Sequence, residues 1–199
     1  MLSIESLLNH ANLPESPTPR LDAELLLAHA LGKSRSYLHT WPERELPAEL
    51  IATFEACVAR RRSGEPVAYI LGRQGFWSLE LDVANHTLIP RPDTELLVET
   101  ALALLHTTPL AVLDLGTGSG AIALALACER PAWQVVGVDR VPEAVALASG
   151  NRERLQLNNA VFAESHWFAA LAGQRFALIV SNPPYIAAAD PHLSQGDVR

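Results

Sequence analysis

Val112-Leu113-Asp114-Leu115-Gly116-Thr117-Gly118-Ser119-Gly120, followed at once by the apolar run Ala121-Ile122-Ala123-Leu124-Ala125-Leu126-Ala127, decides the fold class. It reads as a short buried strand, a glycine turn and a helix. Glycines at alternate positions admit positive φ and the close approach of a ligand, and the helix that follows points free N–H groups at whatever sits above the turn. This is the pattern of a nucleotide-type site in an α/β fold.

Gly116-x-Gly118-x-x-Ala121 also satisfies the dinucleotide fingerprint, which on its own is weak. The next strand, Gln134-Val135-Val136-Gly137-Val138-Asp139, ends in an acid 21 residues beyond Gly118. A carboxylate there meets ribose hydroxyls in an NAD site or an S-adenosylmethionine site alike. The plainer alternative for Asp139 is a cap on the helix opened by Pro142. A second motif, Ser181-Asn182-Pro183-Pro184-Tyr185, follows the apolar strand Phe176-Ala177-Leu178-Ile179-Val180. Ligands of open α/β sheets bind at the carboxyl ends of strands, so this loop should face the glycine turn. An Asn-Pro turn after a strand is common by itself, yet these residue types suit one chemistry. An amide nitrogen is a poor nucleophile because its lone pair is delocalised. Acceptors on both N–H bonds, the Asn182 side-chain oxygen and the rigidly held Pro183 carbonyl, would hold an NH₂ with its lone pair aimed at a sulfonium methyl. Tyr185 would pack its face on the substrate amide or near the sulfonium. Asn-Pro-Pro-Tyr resembles the active-site signature of methyltransferases that modify planar amide or amino nitrogens.

The chain has 199 residues, 49% of them hydrophobic, enough for a sizeable core. The N-terminal stretch lacks the basic region and cleavage pattern of a secretion signal, and no run approaches the ~20 apolar residues of a membrane span. A soluble, cytoplasmic protein is expected. A net charge of −7 opposes a general nucleic-acid surface. Cys57 and Cys128 fall among apolar neighbours on predicted helices and read as buried thiols. The seven histidines are scattered without metal-ligand spacing, so no metal is assigned.

Residues 1 to about 65 read as a four-helix unit. Ile4, Leu7 and Leu8 mark a first helix; Arg20 to Leu31 has helical periodicity and stops at Gly32; a brief helix passes through Tyr37 and Leu38. The longest starts at Pro47 with Leu50, Phe54, Cys57 and Val58 on one face. Arg60, Arg61 and Arg62 close it, either as a solvated end that complements the helix dipole or as a dock for an acidic partner. Residues 66–92, with Gly72, Gly75 and the alternation Phe76, Leu79, Leu81, Val83, read as a hairpin linker. Asp93 is expected to cap a helix with Leu97, Ala101, Leu104 and Leu105 as its buried stripe. Arg91, between prolines, is read either as held over the cofactor site or as a surface residue of a stiff linker. Strands are expected at 111–114, 134–138, 160–163 and 176–180, within a domain running from 93 to 199.

A helical N-terminal unit, then Ile89-Pro90-Arg91-Pro92-Asp93-Thr94-Glu95, Asp114-Leu115-Gly116-Thr117-Gly118-Ser119-Gly120 and Asn182-Pro183-Pro184-Tyr185 in that order, resembles the peptide-chain release factor glutamine methyltransferase family. The likeness covers essentially the whole chain. It implies a Rossmann-like, S-adenosylmethionine-dependent methyltransferase sheet behind a substrate-recognising helical domain. It further implies methyl transfer to the glutamine of a Gly-Gly-Gln motif in release factors. Carried over by position, Gly116, Thr117, Gly118, Ser119 and Gly120 would line the methionine part, Asp139 the ribose and Trp167 the adenine, while Asn182, Pro183, Pro184 and Tyr185 would hold the glutamine. The family usually has an acid before the residue matching Trp167; here it is His166, preceded by Ser165 and Glu164. Either Glu164 or a backbone group takes that place, or cofactor affinity is lower. The resemblance also implies seven strands where four are found, with the strand at 176–180 in mid-sheet, so an incomplete chain with an unpaired edge is expected. Two other readings remain open: a nucleic-acid amino-methyltransferase acting on adenine N6, and a cofactor-binding fragment without catalysis. An NAD-dependent oxidoreductase ranks last, because the Asn-Pro-Pro-Tyr loop supplies no acid or base for hydride transfer.

Overall fold

The computed structural model describes residues 2–105 and 108–183. They divide into two compact units, one ending at Leu71 and one beginning at Gly72.

The first unit contains β1 (Leu2–Ser3), α1 (Ile4–His10), α2 (Pro19–Leu31), α3 (Arg35–Thr40), β2 (Glu45–Leu46), α4 (Ala48–Arg62) and α5 (Val67–Leu71). The Ser3 hydroxyl caps α1 by accepting the Ser6 N–H at 3.2 Å. Ile4, Leu7, Leu8, Leu26, Leu27, Leu38, Phe54 and Val58 are buried together, each worth about 1.5–3 kcal/mol relative to exposure. Two features go beyond the four expected helices. One is α5; the other is the antiparallel pairing of Leu2 with Leu46. Two-residue strands carry no hydrophobic period, so periodicity misses them. Pro47 precedes α4 as its cap residue instead of opening it.

Of the three arginines at the end of α4, Arg61 is turned inward, while Arg60 and Arg62 stay exposed. Arg61 Nε donates to Asp22 Oδ2 at 2.7 Å, and both side chains are more than nine-tenths buried. Ser16 Oγ donates to the same carboxylate oxygen and Thr18 Oγ1 to the other. Arg60 donates twice to Glu65, and Arg62 donates to the Asn12 carbonyl. Arg61 is therefore engaged inside the unit, joining α4 to the start of α2, and is neither a solvated end nor a free dock.

The second unit opens with the hairpin β3 (Arg73–Phe76) and β4 (Leu79–Asp82). A 3₁₀ turn (Pro92–Thr94), α6 (Glu95–Leu104), β5 (Ala111–Leu115), α7 (Ala121–Glu129), β6 (Gln134–Asp139), α8 (Pro142–Arg154), β7 (Ala160–Glu164) and β8 (Leu178–Ser181) follow. Four parallel strands lie in the order β7-β6-β5-β8, with Leu113 opposite Val136 and Ile179. This is the α/β sheet that the strand–turn–helix pattern requires. Every residue of α7 from Ala121 to Ala127 is buried, so the helix is apolar all round as a core helix must be. Phe76 and Leu81 of the hairpin share a core with Val98, Val112, Leu124 and Trp133.

Four expectations need correction. Asp93 lies in the 3₁₀ turn and caps nothing through its side chain; Thr94 is the residue that precedes α6. On α6 Ala101 is buried and Leu97 and Leu105 pack against the same core, as expected, but Val98 is buried as well and Leu104 is 66% exposed, because the covered face is centred nearer Val98 than Leu97. Cys128 is half-buried, unlike Cys57. Phe176 and Ala177 precede β8, although the Ala177 N–H still bonds to the Ala111 carbonyl. Among the described residues β8 is an edge strand with Ile179 48% exposed, and no helix is long and apolar enough to cross a membrane.

Removing one partner of a buried ion pair leaves the other charge stranded, at a cost of about 3–5 kcal/mol, against about 0–1 kcal/mol for an exposed pair. Arg61→Met should therefore lower stability by about 3–5 kcal/mol in urea unfolding, and Arg60→Met by less than about 1 kcal/mol. Equal effects would overturn this assignment.

Candidate functional site

The site assembles at the carboxyl ends of the four parallel strands, starting from Asp114. Its carboxyl is fully buried next to the end of β5. Oδ2 accepts the Thr117 hydroxyl at 2.7 Å, and the Ala123 backbone N–H adds a second bond to the carboxylate. Oδ1 is buried without a partner. Burial pushes the group from its usual 3.8 up to about 6; the Thr117 and Ala123 bonds oppose that rise and the nearby Asp139 charge adds to it.

The turn wraps over this carboxylate. Gly116, Gly118 and Gly120 have φ of +75°, +55° and +85°, values that L side chains rarely adopt. The N–H groups of Gly116 and Thr117 both bond to the Val138 carbonyl, which pins the turn to β6. A Cβ on Gly116 or Gly118 would meet only open space, whereas one on Gly120 would crowd Leu124, Ala148 and Phe162. Ser119 and Thr117 are buried. Gly137, in the strand beside Asp114, belongs to no motif that would mark it in the sequence. A Cβ there would fall 2.5 Å from the Phe162 ring and 2.7 Å from Thr117 Oγ1, so only glycine lets Thr117 reach Asp114.

Asp139 ends β6. Its Oδ2 accepts the Gly118 N–H at 3.0 Å and its Oδ1 the Val141 N–H at 3.1 Å. The cap residue of α8 is Val141, so Asp139 shapes the turn and is not the helix cap. Past the end of β7, the Ser165 N–H bonds to the Asp139 carbonyl, and its hydroxyl donates to the Trp167 carbonyl while accepting the Ala170 N–H. Trp167 is held in a left-handed backbone conformation, φ +54°, with 57% of its surface exposed. A non-glycine residue there costs on the order of 1–3 kcal/mol. Glu164 pairs in register with Asp139; it and His166 are exposed.

Past β8, Ser181 Oγ donates to the Leu115 carbonyl, tying the fourth strand end to the first. The Asn182 Nδ2 donates to Thr94 Oγ1 at 3.0 Å across 88 residues. Pro183 is exposed, and Pro184 and Tyr185 lie outside the described residues. Thr94 is a partner that sequence reasoning misses; the signal that could have found it is its place in the stretch after Arg91, itself half-buried. The structure thus gathers Gly116 to Gly120, Asp139, Trp167, Asn182 and Pro183 on one edge of one sheet. Among the described residues no group of three or more His, Cys, Asp or Glu is placed to hold a metal ion.

Two family models match: the PrmC N-terminal domain over residues 4–72 and the methyltransferase small domain over residues 92–195. A release factor glutamine methyltransferase from Pseudomonas aeruginosa is 67% identical over 199 residues, all of this chain and 72% of the relative's own length. The chain belongs to the release factor glutamine methyltransferase family. A member from Escherichia coli is 54% identical over 95% of this chain and 68% of its own length, and one from Vibrio cholerae is 58% identical over 92% and 65%. In this family member the glycine turn, Asp139 and the Asn182 loop fall within the methyltransferase model's span, and the hairpin precedes it.

Asp114 carries a pH signature. Its folded value of about 6 lies above the ordinary 3.8, so ionisation works against the fold. The cost is absent below about pH 4, grows through pH 4–6 and is complete above, at about 3 kcal/mol. Asp114→Asn abolishes the titration. The stability of the variant relative to wild type should shift in its favour by about 2 kcal/mol between pH 4 and pH 7. Urea unfolding at both values checks this, and a difference independent of pH would refute it.

Proposed function

We propose that this chain transfers the methyl group of S-adenosylmethionine to the side-chain amide nitrogen of the glutamine in the Gly-Gly-Gln motif of peptide-chain release factors. Membership of the family supports the reaction class, and one observation carries the site: Asn182 stands at the end of β8 with its amide nitrogen turned to Thr94. A side-chain amide is planar with oxygen and nitrogen on opposite sides, so this bond presents the oxygen as an acceptor.

The residues on the other strand ends fit S-adenosylmethionine. The open space over Gly116 and Gly118 receives the methionine part, along with Thr117, Ser119 and Gly120. Each Asp139 oxygen accepts one backbone N–H and keeps a lone pair for a ribose hydroxyl. Trp167 offers its exposed face to the adenine.

Bound there, S-adenosylmethionine supplies an electrophilic methyl on a sulfonium. The chain's own contribution is orientation. Asn182 Oδ1 and the Pro183 carbonyl would accept the two N–H bonds of the glutamine carboxamide and direct the nitrogen's lone pair at the methyl; the N–C bond forms as the methyl–sulfur bond breaks to leave S-adenosylhomocysteine, and the displaced N–H proton passes to water. Fixing reactants in this way is worth orders of magnitude in rate. By the family resemblance, Tyr185 would pack its face on the planar amide. Release factors work on ribosomes, which puts the reaction in the cytoplasm and in translation termination. The charge of −7 disfavours direct nucleic-acid binding.

The test is the mass of a Gly-Gly-Gln peptide from an unmodified release factor after incubation with the chain and S-adenosylmethionine. A gain of one methyl is expected, lost in Asn182→Ala. Thr94→Val should lower kcat by roughly tenfold or more through misorientation of Asn182, with affinity for S-adenosylhomocysteine unchanged, and Thr94→Ser should restore it. Silence from this chain and from a version extended to the length of its relatives would overturn the reading.

A further inference from the structure

Asn151 lies near the end of α8 and is fully buried. Its Nδ2 donates to the Ser119 carbonyl at 3.0 Å and to the Asp82 carbonyl at 2.9 Å. Its Oδ1 accepts the Asp82 N–H at 2.7 Å and Arg154 Nη2 at 3.1 Å. Two donors and two acceptors are all engaged, and a flipped amide would set its oxygen against two carbonyls. One side chain thus holds two segments, 32 residues away in the glycine turn and 69 residues away at the end of β4.

Each anchor matters for a different reason. Ser119 stands between Gly118 and Gly120, so fixing its carbonyl fixes the peptide plane that enters α7; that plane has little freedom, because the Gly120 N–H bonds to the Thr117 carbonyl at 2.8 Å. Asp82 commits both of its backbone groups to Asn151, and Arg154 adds bonds to the Asp82 carboxylate and the Glu80 carbonyl. The end of β4 is therefore seated on α8 through the same side chain that sets the turn. Asparagine is a poor helix former; three otherwise orphaned backbone groups account for it in the last turn of α8.

We propose that Asn151 is a positioning residue which couples the β3–β4 hairpin to the cofactor turn, so that a ligand on the turn and the order of the hairpin reinforce each other. This rests on the reading of Gly116–Gly120 as the S-adenosylmethionine turn. The coupling is reciprocal: whatever orders the hairpin strengthens cofactor binding by the factor with which cofactor orders the hairpin.

Hydrogen exchange of residues 72–83 with and without S-adenosylhomocysteine, together with the dissociation constant by calorimetry, tests it in wild type and Asn151→Asp. The variant keeps the size of the side chain and an acceptor for the Asp82 N–H but loses both donated bonds. In wild type the ligand should slow exchange at Asp82 and Val83 by roughly tenfold; in Asn151→Asp the dissociation constant should rise by roughly tenfold and the ligand-dependent slowing should vanish. A purely structural asparagine would protect Asp82 equally with and without ligand. If the ligand binds and slows the turn but leaves the hairpin unchanged, the inference is wrong, and the wild-type data alone establish this even where the variant does not fold. Failure of wild type to bind S-adenosylhomocysteine would instead bring down the cofactor reading and the coupling with it.

Discussion

A carboxylate sealed away from water at the end of β5 sets the terms for everything around it. Asp114 cannot be left unpaired without a penalty of several kcal/mol, so Thr117 must turn its hydroxyl down onto it. That direction forces the chain over the strand end in a tight turn, which is tolerable only with glycine at positive φ. It also needs an empty position in the neighbouring strand, supplied by Gly137. One buried acceptor thereby dictates residue types on two strands and a turn. Its second oxygen remains unmatched, and burial in that state raises the carboxyl's pKa.

The parts of this arrangement that are legible in the sequence are those with a local signature. Strand, glycine turn and apolar helix follow from spacing within some fifteen residues, and Asp139 from its distance to Gly118. The placement of Asn182 follows from the rule that ligands sit at the carboxyl ends of parallel strands. Trp167 enters only through family resemblance; nothing in its neighbourhood announces a left-handed backbone, since tryptophan is not a residue that favours one.

What escapes is held by partners far along the chain. Thr94, Gly137 and Asn151 look ordinary in place, a residue before a helix, a glycine in a strand and an asparagine in a helix. Each acquires meaning from a group 20 to 88 residues away. The Arg60–Arg62 run misleads in a related manner. Its position at a helix end has a sufficient local explanation in the dipole, and only the tertiary fold reveals that Arg61 is needed 39 residues upstream, at Asp22. The stripe on α6 departs from expectation at Leu104 for another cause: Leu96, Leu97, Leu102 and Leu104 lie around the helix, so periodicity alone does not select which are covered, and packing leaves Leu96 and Leu104 exposed.

The turn is over-determined: three positive-φ residues, two bonds to the Val138 carbonyl, the Asn151 bond to Ser119 and the close packing at Gly120 all require one shape. A change there must disturb several of these constraints at once. The other strand ends are set by side chains: Asn182 donates to Thr94, and Ser165 donates to the Trp167 carbonyl. Such side-chain bonds can be exchanged without moving the sheet, and it is in them that chemistry on a shared scaffold can diverge.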